Sequence, residues 1–276
     1  MSNLNDGHDS FETPCGSYAH FKLTRALLRI TRDPRYGDSM ERVLYNTILG
    51  ALPLQADGRA FYYSDNTYSA RKGYFKFRWP CCAGTLPQVV ADYGISSYLR
   101  DREGLLVNLY LPSKVRWQHE GQWVELSQTS NYPNDEDIEM VLGGFDSVSM
   151  RLSLRIPAWA EGATVQVNRE PLRRVRAGQL ARLERTWSRG DRVHLRLPLT
   201  VRLEPLEPSH PDVAALVRGP LVLFPLSDTP HPPTARRAEL LDPRRSGPAS
   251  WQVGEWHLRP FVDIGEERYA TYFHVV

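Results

Sequence analysis

Val148-Ser149-Met150-Arg151-Leu152-Ser153-Leu154-Arg155-Ile156 is the stretch that decides the fold. Apolar and polar side chains alternate through its nine positions. A strand sends successive side chains to opposite faces, so this pattern belongs to a half-buried β-strand. Working outward, Trp123-Val124-Glu125-Leu126, Val165-Gln166-Val167-Asn168 and Val193-His194-Leu195-Arg196-Leu197 repeat the alternation, and Leu105-Leu106-Val107-Asn108-Leu109-Tyr110-Leu111 is strand-like. Short strands separated by turn residues such as Gly190-Asp191 predict an antiparallel sandwich. Residues 213–217, 221–224, 256–261 and 269–275 are candidates for a second set of strands, with 199–204 bridging into it. Between them, residues 228–250 carry Pro230, Pro232, Pro233, Pro243 and Pro248 among arginines, the composition of an exposed loop.

Before Asp101 the period is helical. Ser17 can cap a helix running to Thr31, with Phe21, Leu23, Leu27, Leu28 and Ile30 at three-four spacing, and Asp33-Pro34 stops it. A second helix carries Tyr36, Met40, Val43, Leu44, Thr47, Ile48 and Ala51 until Pro53 ends it, and a third follows Gly84 with Leu86, Val89, Val90 and Tyr93 on one face. The stretch between is rich in aromatics: Ala60-Phe61-Tyr62-Tyr63-Ser64 reads as a short strand after the Asp57-Gly58 turn, and Tyr68, Tyr74, Phe75 and Phe77 follow. Such a segment is either a packed cover or a wall facing a substrate.

At 276 residues, 41% hydrophobic and 24% charged, the chain has the composition of a globular protein able to bury a sizeable core. No apolar run has the length of a membrane span, and no basic start with an apolar stretch and cleavage site stands at the N-terminus. The expectation is a cytoplasmic protein with no membrane association. The formal charge of +2 mixes acidic residues through the arginine-rich stretches, which argues against a nucleic-acid partner. Asp135, Glu136 and Asp137 read as a solvated turn.

Three cysteines occur, all inside two short motifs: Cys15 in Phe11-Glu12-Thr13-Pro14-Cys15-Gly16, and Cys81 and Cys82 in Trp79-Pro80-Cys81-Cys82-Ala83-Gly84-Thr85. An odd number with two adjacent speaks against a disulfide framework and for reduced thiols. A thiolate pair with a third thiolate suits a soft or borderline divalent ion, zinc being the commonest, and Glu12 is the carboxylate best placed to complete four ligands. Metal ligation would also hold a thiolate ready as a nucleophile. Adjacent cysteines must reach one ion from an irregular backbone, which Pro80 and Gly84 would permit; two buried structural thiols are the other account.

Glu12-Thr13-Pro14-Cys15-Gly16-Ser17-Tyr18, Lys22-Leu23-Thr24-Arg25, Asp33-Pro34-Arg35-Tyr36, Glu41-Arg42-Val43-Leu44-Tyr45-Asn46 and the Trp79–Thr85 motif together resemble glycoside hydrolase family 127, which includes β-L-arabinofuranosidases. Val107-Asn108-Leu109-Tyr110-Leu111-Pro112-Ser113, Arg155-Ile156-Pro157-Ala158-Trp159, Gly219-Pro220-Leu221-Val222 and residues 269–276 are similar to its later blocks. The resemblance implies an α+β multidomain chain: the C-terminal part of an (α/α)6 barrel over residues 1–103, then β-sandwich domains over 104–203 and 204–276. It implies a Zn2+ held by Glu12, Cys15, Cys81 and Cys82, with Cys81 as the nucleophile of a retaining hydrolysis and a carbohydrate as partner. Tyr62 and Tyr63 are the candidate sugar contacts. The family's general acid/base is a Glu upstream of the Glu12 motif; only eleven residues precede Glu12, and none inherits that role. The chain is therefore expected to lack an N-terminal half, and to be inactive alone. The alternative is a non-catalytic carbohydrate-binding or interaction module with a structural zinc site.

Overall fold

A computed structural model describes residues 14–65 and 67–276. The chain forms two compact units, each drawn from separated stretches. One holds the chain up to Leu23 with Arg42–Ala91 and Val201–Val276; the other holds Thr24–Glu41 and Asp92–Thr200. The fold is mixed α+β with several sheets.

Helix α1 (Pro14–Thr31) begins three residues before the expected cap. Pro14 suits a first helical position because its missing N–H has no partner to lose there. Ser17 thus lies inside the helix, and its hydroxyl donates to Thr47 Oγ1 at 3.0 Å. Helix α2 (Pro34–Val43) does not run unbroken to Ala51; a π-helical turn occupies Leu44–Ile48. The cause is local. Asn46 Nδ2 donates to Arg42 O at 2.8 Å and Thr47 Oγ1 to Val43 O at 2.7 Å, so side chains take carbonyls that ordinary helical amides would use, and Leu49 N reaches back to Leu44 O at 3.0 Å.

In the unit formed by Thr24–Glu41 and Asp92–Thr200, ten strands make two sheets. They are β3 (Tyr98–Arg100), β4 (Gly104–Val107), β5 (Ser113–His119), β6 (Gln122–Ser130), β7 (Asp137–Gly143), β8 (Ser147–Arg155), β9 (Thr164–Val167), β10 (Arg173–Arg174), β11 (Leu180–Ser188) and β12 (Arg192–Arg196). Their orders are β10-β9-β12-β7-β6-β5 and β11-β8-β4-β3. The alternating stretch is β8: Val148, Met150, Leu152 and Leu154 are buried, and β11 pairs with it antiparallel from Ser147↔Ser188 to Arg155↔Leu180. On its other side β4 runs parallel to β8, so the sheet is mixed rather than wholly antiparallel. Gly104 permits that approach: at φ +150°, a Cβ there would lie 2.0 Å from Arg151 O.

Arg155 ends β8 with no exposure. Its guanidinium donates to Asp38 Oδ1 at 2.5 Å, Glu41 Oε1 at 2.8 Å and Asn108 O at 2.7 Å, while the Tyr110 hydroxyl donates to its carbonyl. Glu41 also accepts from Tyr132 Oη at 2.7 Å and Trp159 Nε1 at 3.3 Å. Gly37 leaves room for this: a Cβ there would sit 2.3 Å from Arg155 Cδ. The Arg155–Trp159 block is a buried polar clamp on α2. In the acidic run Glu136 pairs with Arg196, and Asp137, which opens β7, pairs with His194 of β12.

The other unit contains the hairpin β1 (Phe61–Ser64) and β2 (Lys72–Tyr74), helix α3 (Cys81–Ile95), whose first eleven residues belong to it, and a large sheet. That sheet uses β13 (Val201–Pro205), β14 (Val213–Arg218), β15 (Leu221–Pro225), β16 (Thr234–Ala235), β17 (Arg244–Gly247), β18 (Ser250–Val253), β19 (Trp256–Pro260) and β20 (Phe273–Val275), in the order β16-β20-β14-β15-β19-β18-β17 with β13 on β14. Here too one pair, β16 with β20, is parallel. The proline-rich stretch expected as a loop supplies β16, β17 and the short helix α4 (Arg237–Leu240). Its prolines stand outside these three elements, at turns and strand ends, where no ladder N–H is needed. Phe61, Ala70, Val217, Phe224, Phe261 and Tyr269 make the core. Lys72 is buried against it and donates to Gly50 O, Phe261 O and Ile264 O, each at 2.6 Å, which uses all three ammonium protons. Asn46 bonds Pro220 O and Val222 N, both at 2.8 Å, and so anchors the π-helical turn to β15.

Candidate metal centre and nucleophile

Two helix starts meet at the cysteines. Cys15 lies in the first turn of α1, and Cys81 and Cys82 open α3. The first amides of a helix lack intrahelical acceptors, so both ends carry partial positive charge that favours thiolates. Tyr18 Oη donates to Gln88 Oε1 at 3.2 Å and holds the two helices together one turn further along. The adjacency of Cys81 and Cys82 does not require irregular backbone: helix α3 starts at Cys81, not after Gly84, and successive residues of a first turn fan outward while both sulfurs remain near its end. Pro87 continues this helix.

Cys15 Sγ lies 3.3 Å from Cys81 Sγ and 3.5 Å from Cys82 Sγ, and the latter two are 4.0 Å apart. Thiolates about 2.3 Å from a tetrahedral zinc lie about 3.8 Å from one another, a value these separations bracket. The donor set fits such an ion. Cys82 is fully buried, Cys15 half-buried and Cys81 exposed, so Cys81 is the most accessible of the three. Among the described residues the cluster consists of the cysteines. Glu12 lies outside the described residues.

Burial pushes the Cys15 thiol up, but hydrogen bonds with Thr85, Cys81 and Cys82 outweigh it and leave Cys15 below the ordinary thiol range. Cys82 is pushed up to about 12 by burial, with its bond to Cys15 and the adjacent sulfur charges adding to the effect. Crowded sulfurs resist ionising together; a divalent cation among them would offset the repulsion between their charged forms.

Tyr62 on β1 is half-buried and stacks on Phe75 with ring centroids 4.4 Å apart, and Phe75 meets Phe77 edge-on at 5.6 Å. The aromatic segment is thus partly a packed cover, as one of the two expectations had it. The side chain of Tyr63 lies outside the described residues. Two contributors escape sequence reasoning. Thr85 Oγ1 sits 3.3 Å from Cys15 Sγ, and its place one helical turn after Cys81 is the signal that could have marked it. Trp79, two residues before Cys81, is 70% exposed with φ 52°; its amide donates to Gly58 O at 2.7 Å, and its indole lies where a Cβ on residue 58 would intrude at 2.6 Å. Left-handed backbone at a tryptophan is held only by such surroundings.

Comparison with known proteins places the chain in a family. A family profile described as the β-L-arabinofuranosidase GH127 catalytic domain matches residues 3–95, and the GH127 middle domain matches residues 104–199. Among solved structures, the chain is similar to Ara127N-Se, a GH127 β-L-arabinofuranosidase from Geobacillus stearothermophilus T6, with TM-score 0.76 and 24% identity over 96% of this chain and 50% of that one. It is also similar to the GH127 β-arabinofuranosidase BT3674, with TM-score 0.77 and 20% identity over 96% of this chain and 49% of that one. At these identities the likeness carries the fold. The chain spans about half the length of the structures it matches. Comparison with curated proteins finds no match. With two profiles of one family covering about two thirds of its residues, both cysteine motifs included, the chain belongs to glycoside hydrolase family 127.

Proposed function

We propose that the chain carries the nucleophile and metal-binding part of a retaining β-L-arabinofuranosidase. The observation that supports this is the sulfur of the exposed Cys81, held 3.3 and 4.0 Å from two partner sulfurs at paired helix starts. In this role Glu12, Cys15, Cys81 and Cys82 would hold Zn2+. Bound there, the ion would supply the positive charge that keeps the cysteines ionised at neutral pH. Cys81 Sγ attacks the anomeric carbon; the C–S bond forms as the glycosidic C–O bond breaks, and the departing oxygen takes a proton from a general acid. Water then attacks the same carbon, losing a proton to the conjugate base, and the C–S bond breaks. Two inversions give net retention. Tyr62, Tyr63 and the exposed Trp79 are the candidate sugar contacts, because an aromatic face suits the C–H face of a sugar ring.

In the same proposal α1–α3 form the last portion of an (α/α)6 barrel over residues 1–103, followed by β-sandwich domains over 104–203 and 204–276. The exposed Leu23, Ile30, Val90 and Ile95 on α1 and α3 support helical faces that further helices would cover.

The test is intact-mass spectrometry after incubation with 2,4-dinitrophenyl β-L-arabinofuranoside, whose leaving group departs without a proton donor. The expected result is one pentosyl adduct on Cys81, with stoichiometric release of dinitrophenolate, and neither with Cys81→Ser. Sugar binding without an adduct would overturn it in favour of a non-catalytic carbohydrate-binding module with a structural metal.

A further inference from the structure

The unit containing β3–β12 has a second feature that the cysteine centre does not use. Strand β3 ends one of its sheets and β5 ends the other. Tyr98 and Arg100 of β3, Arg116 and Gln118 of β5, and Trp123 of β6 line an open groove of about 470 Å³, together with Trp117. That volume lies in the range of small-ligand clefts.

Three observations point to the kind of occupant. Trp123 is 46% exposed, and the Arg116 guanidinium sits 4.5 Å from its ring centroid, which fixes the indole in place. No carboxylate lines the groove, and neither Arg100 nor Arg116 has an acidic partner among the described residues, whereas the neighbouring Lys114 is paired with Glu125. Trp117 is 5% exposed, and among the described residues its indole N–H has no acceptor. A buried donor left unmet costs about 1–3 kcal/mol, so a ligand oxygen that reached it would be favoured.

An aromatic face flanked by two guanidinium groups without carboxylate partners among the described residues matches a molecule with an apolar ring face, hydroxyls and a carboxylate. A peptide added as a strand to β5 is disfavoured, because Lys114, Arg116 and Gln118 stand exposed along that edge. We infer that this groove binds an acidic oligosaccharide containing uronic acid residues: the sugar ring stacks on Trp123, and its carboxylate is held by Arg100 and Arg116. This is a binding site independent of the cysteine centre and does not rest on the enzymatic role proposed above.

The experiment is isothermal titration calorimetry of the full chain with trigalacturonate, with neutral galactotriose and with tetraglutamate. Trigalacturonate should bind, and galactotriose at least about tenfold more weakly, since charge-assisted bonds are roughly twice as strong as neutral ones. Trp123→Ala and Arg100→Gln are surface changes, checked for folding by circular dichroism, and each should weaken trigalacturonate binding by at least about tenfold. Cys81→Ser should leave it unchanged. Absence of trigalacturonate binding, its survival of both substitutions, its loss in Cys81→Ser, or equal binding of tetraglutamate would each overturn the assignment, the last by making the groove a site for acidic peptides.

Discussion

Replacing Arg155 by methionine keeps an unbranched apolar stem and removes the guanidinium and its charge from a site with no solvent. Three hydrogen bonds disappear, at 2.5, 2.8 and 2.7 Å, to Asp38, Glu41 and Asn108 O. Glu41 then stays buried with only the Tyr132 hydroxyl and the Trp159 indole as donors, and Asp38 keeps the Ala158 amide. Removing one member of such a buried ion group costs about 3–5 kcal/mol, because the remaining charge is uncompensated. With a urea slope of about 3 kcal/mol/M, the midpoint should fall by about 1–1.7 M at pH 7, read by circular dichroism. The pH dependence has a definite sign. Burial already raises Asp38 above its usual range in the native protein, with Arg155 pulling it down and Glu41 pushing it up. A carboxyl raised in the folded state contributes stability below its unfolded pKa, and loses it as pH rises through the folded value. Without Arg155 the Asp38 carboxyl rises further, so Arg155→Met should be less impaired at pH 5 than at pH 7, and Glu41→Gln, which removes the neighbouring buried carboxylate, should restore part of the loss. A midpoint shift below about 0.3 M at pH 7, or equal shifts at both values, would refute the clamp.

Four further substitutions probe separate parts of the molecule. Cys82→Ala removes one of three sulfurs, and bound zinc per chain, measured by plasma emission, should fall from near one to a small fraction. Gly104→Ala forces a Cβ to 2.0 Å from Arg151 O, at φ +150°, and should cost at least about 2 kcal/mol, seen as a lowered melting temperature. Lys72→Met orphans the carbonyls of Gly50, Phe261 and Ile264 and should cost about 3 kcal/mol in urea unfolding. Burial pushes Lys72 down to about 8, against the pull of Glu267 and Asp263; the unfolded chain therefore holds more protons between pH 8 and 10.5, and this site's contribution to stability should rise with pH across that window and vanish from the difference curve in Lys72→Met. Asn46→Ala should cost about 2 kcal/mol and, by amide exchange, loosen the Val222 N–H that its side chain holds.

The sequence by itself determined the classes of element and the chemistry of the site. Alternation in residues 148–156 marked a strand with one buried face, three-four spacing marked the helices, and confinement of every cysteine to two motifs marked the thiol cluster, because side-chain periodicity and thiol chemistry are local properties. Where long-range contacts compete, tertiary structure decided. The π-helical turn at Leu44–Ile48 follows from Asn46 and Thr47 taking backbone carbonyls, and Asn46 is in turn committed to Pro220 and Val222. The parallel pairings of β4 with β8 and of β16 with β20 depend on partners far along the chain. Composition marked Arg155 only as one arginine among many; its burial against Asp38 and Glu41 appears only once α2 packs near the end of β8. The same holds for the cysteines. Spacing could bring them under suspicion, but only the meeting of two helix starts brings sulfurs 66 and 67 residues apart to within 3.3 and 3.5 Å, leaving Cys82 enclosed and Cys81 open to solvent.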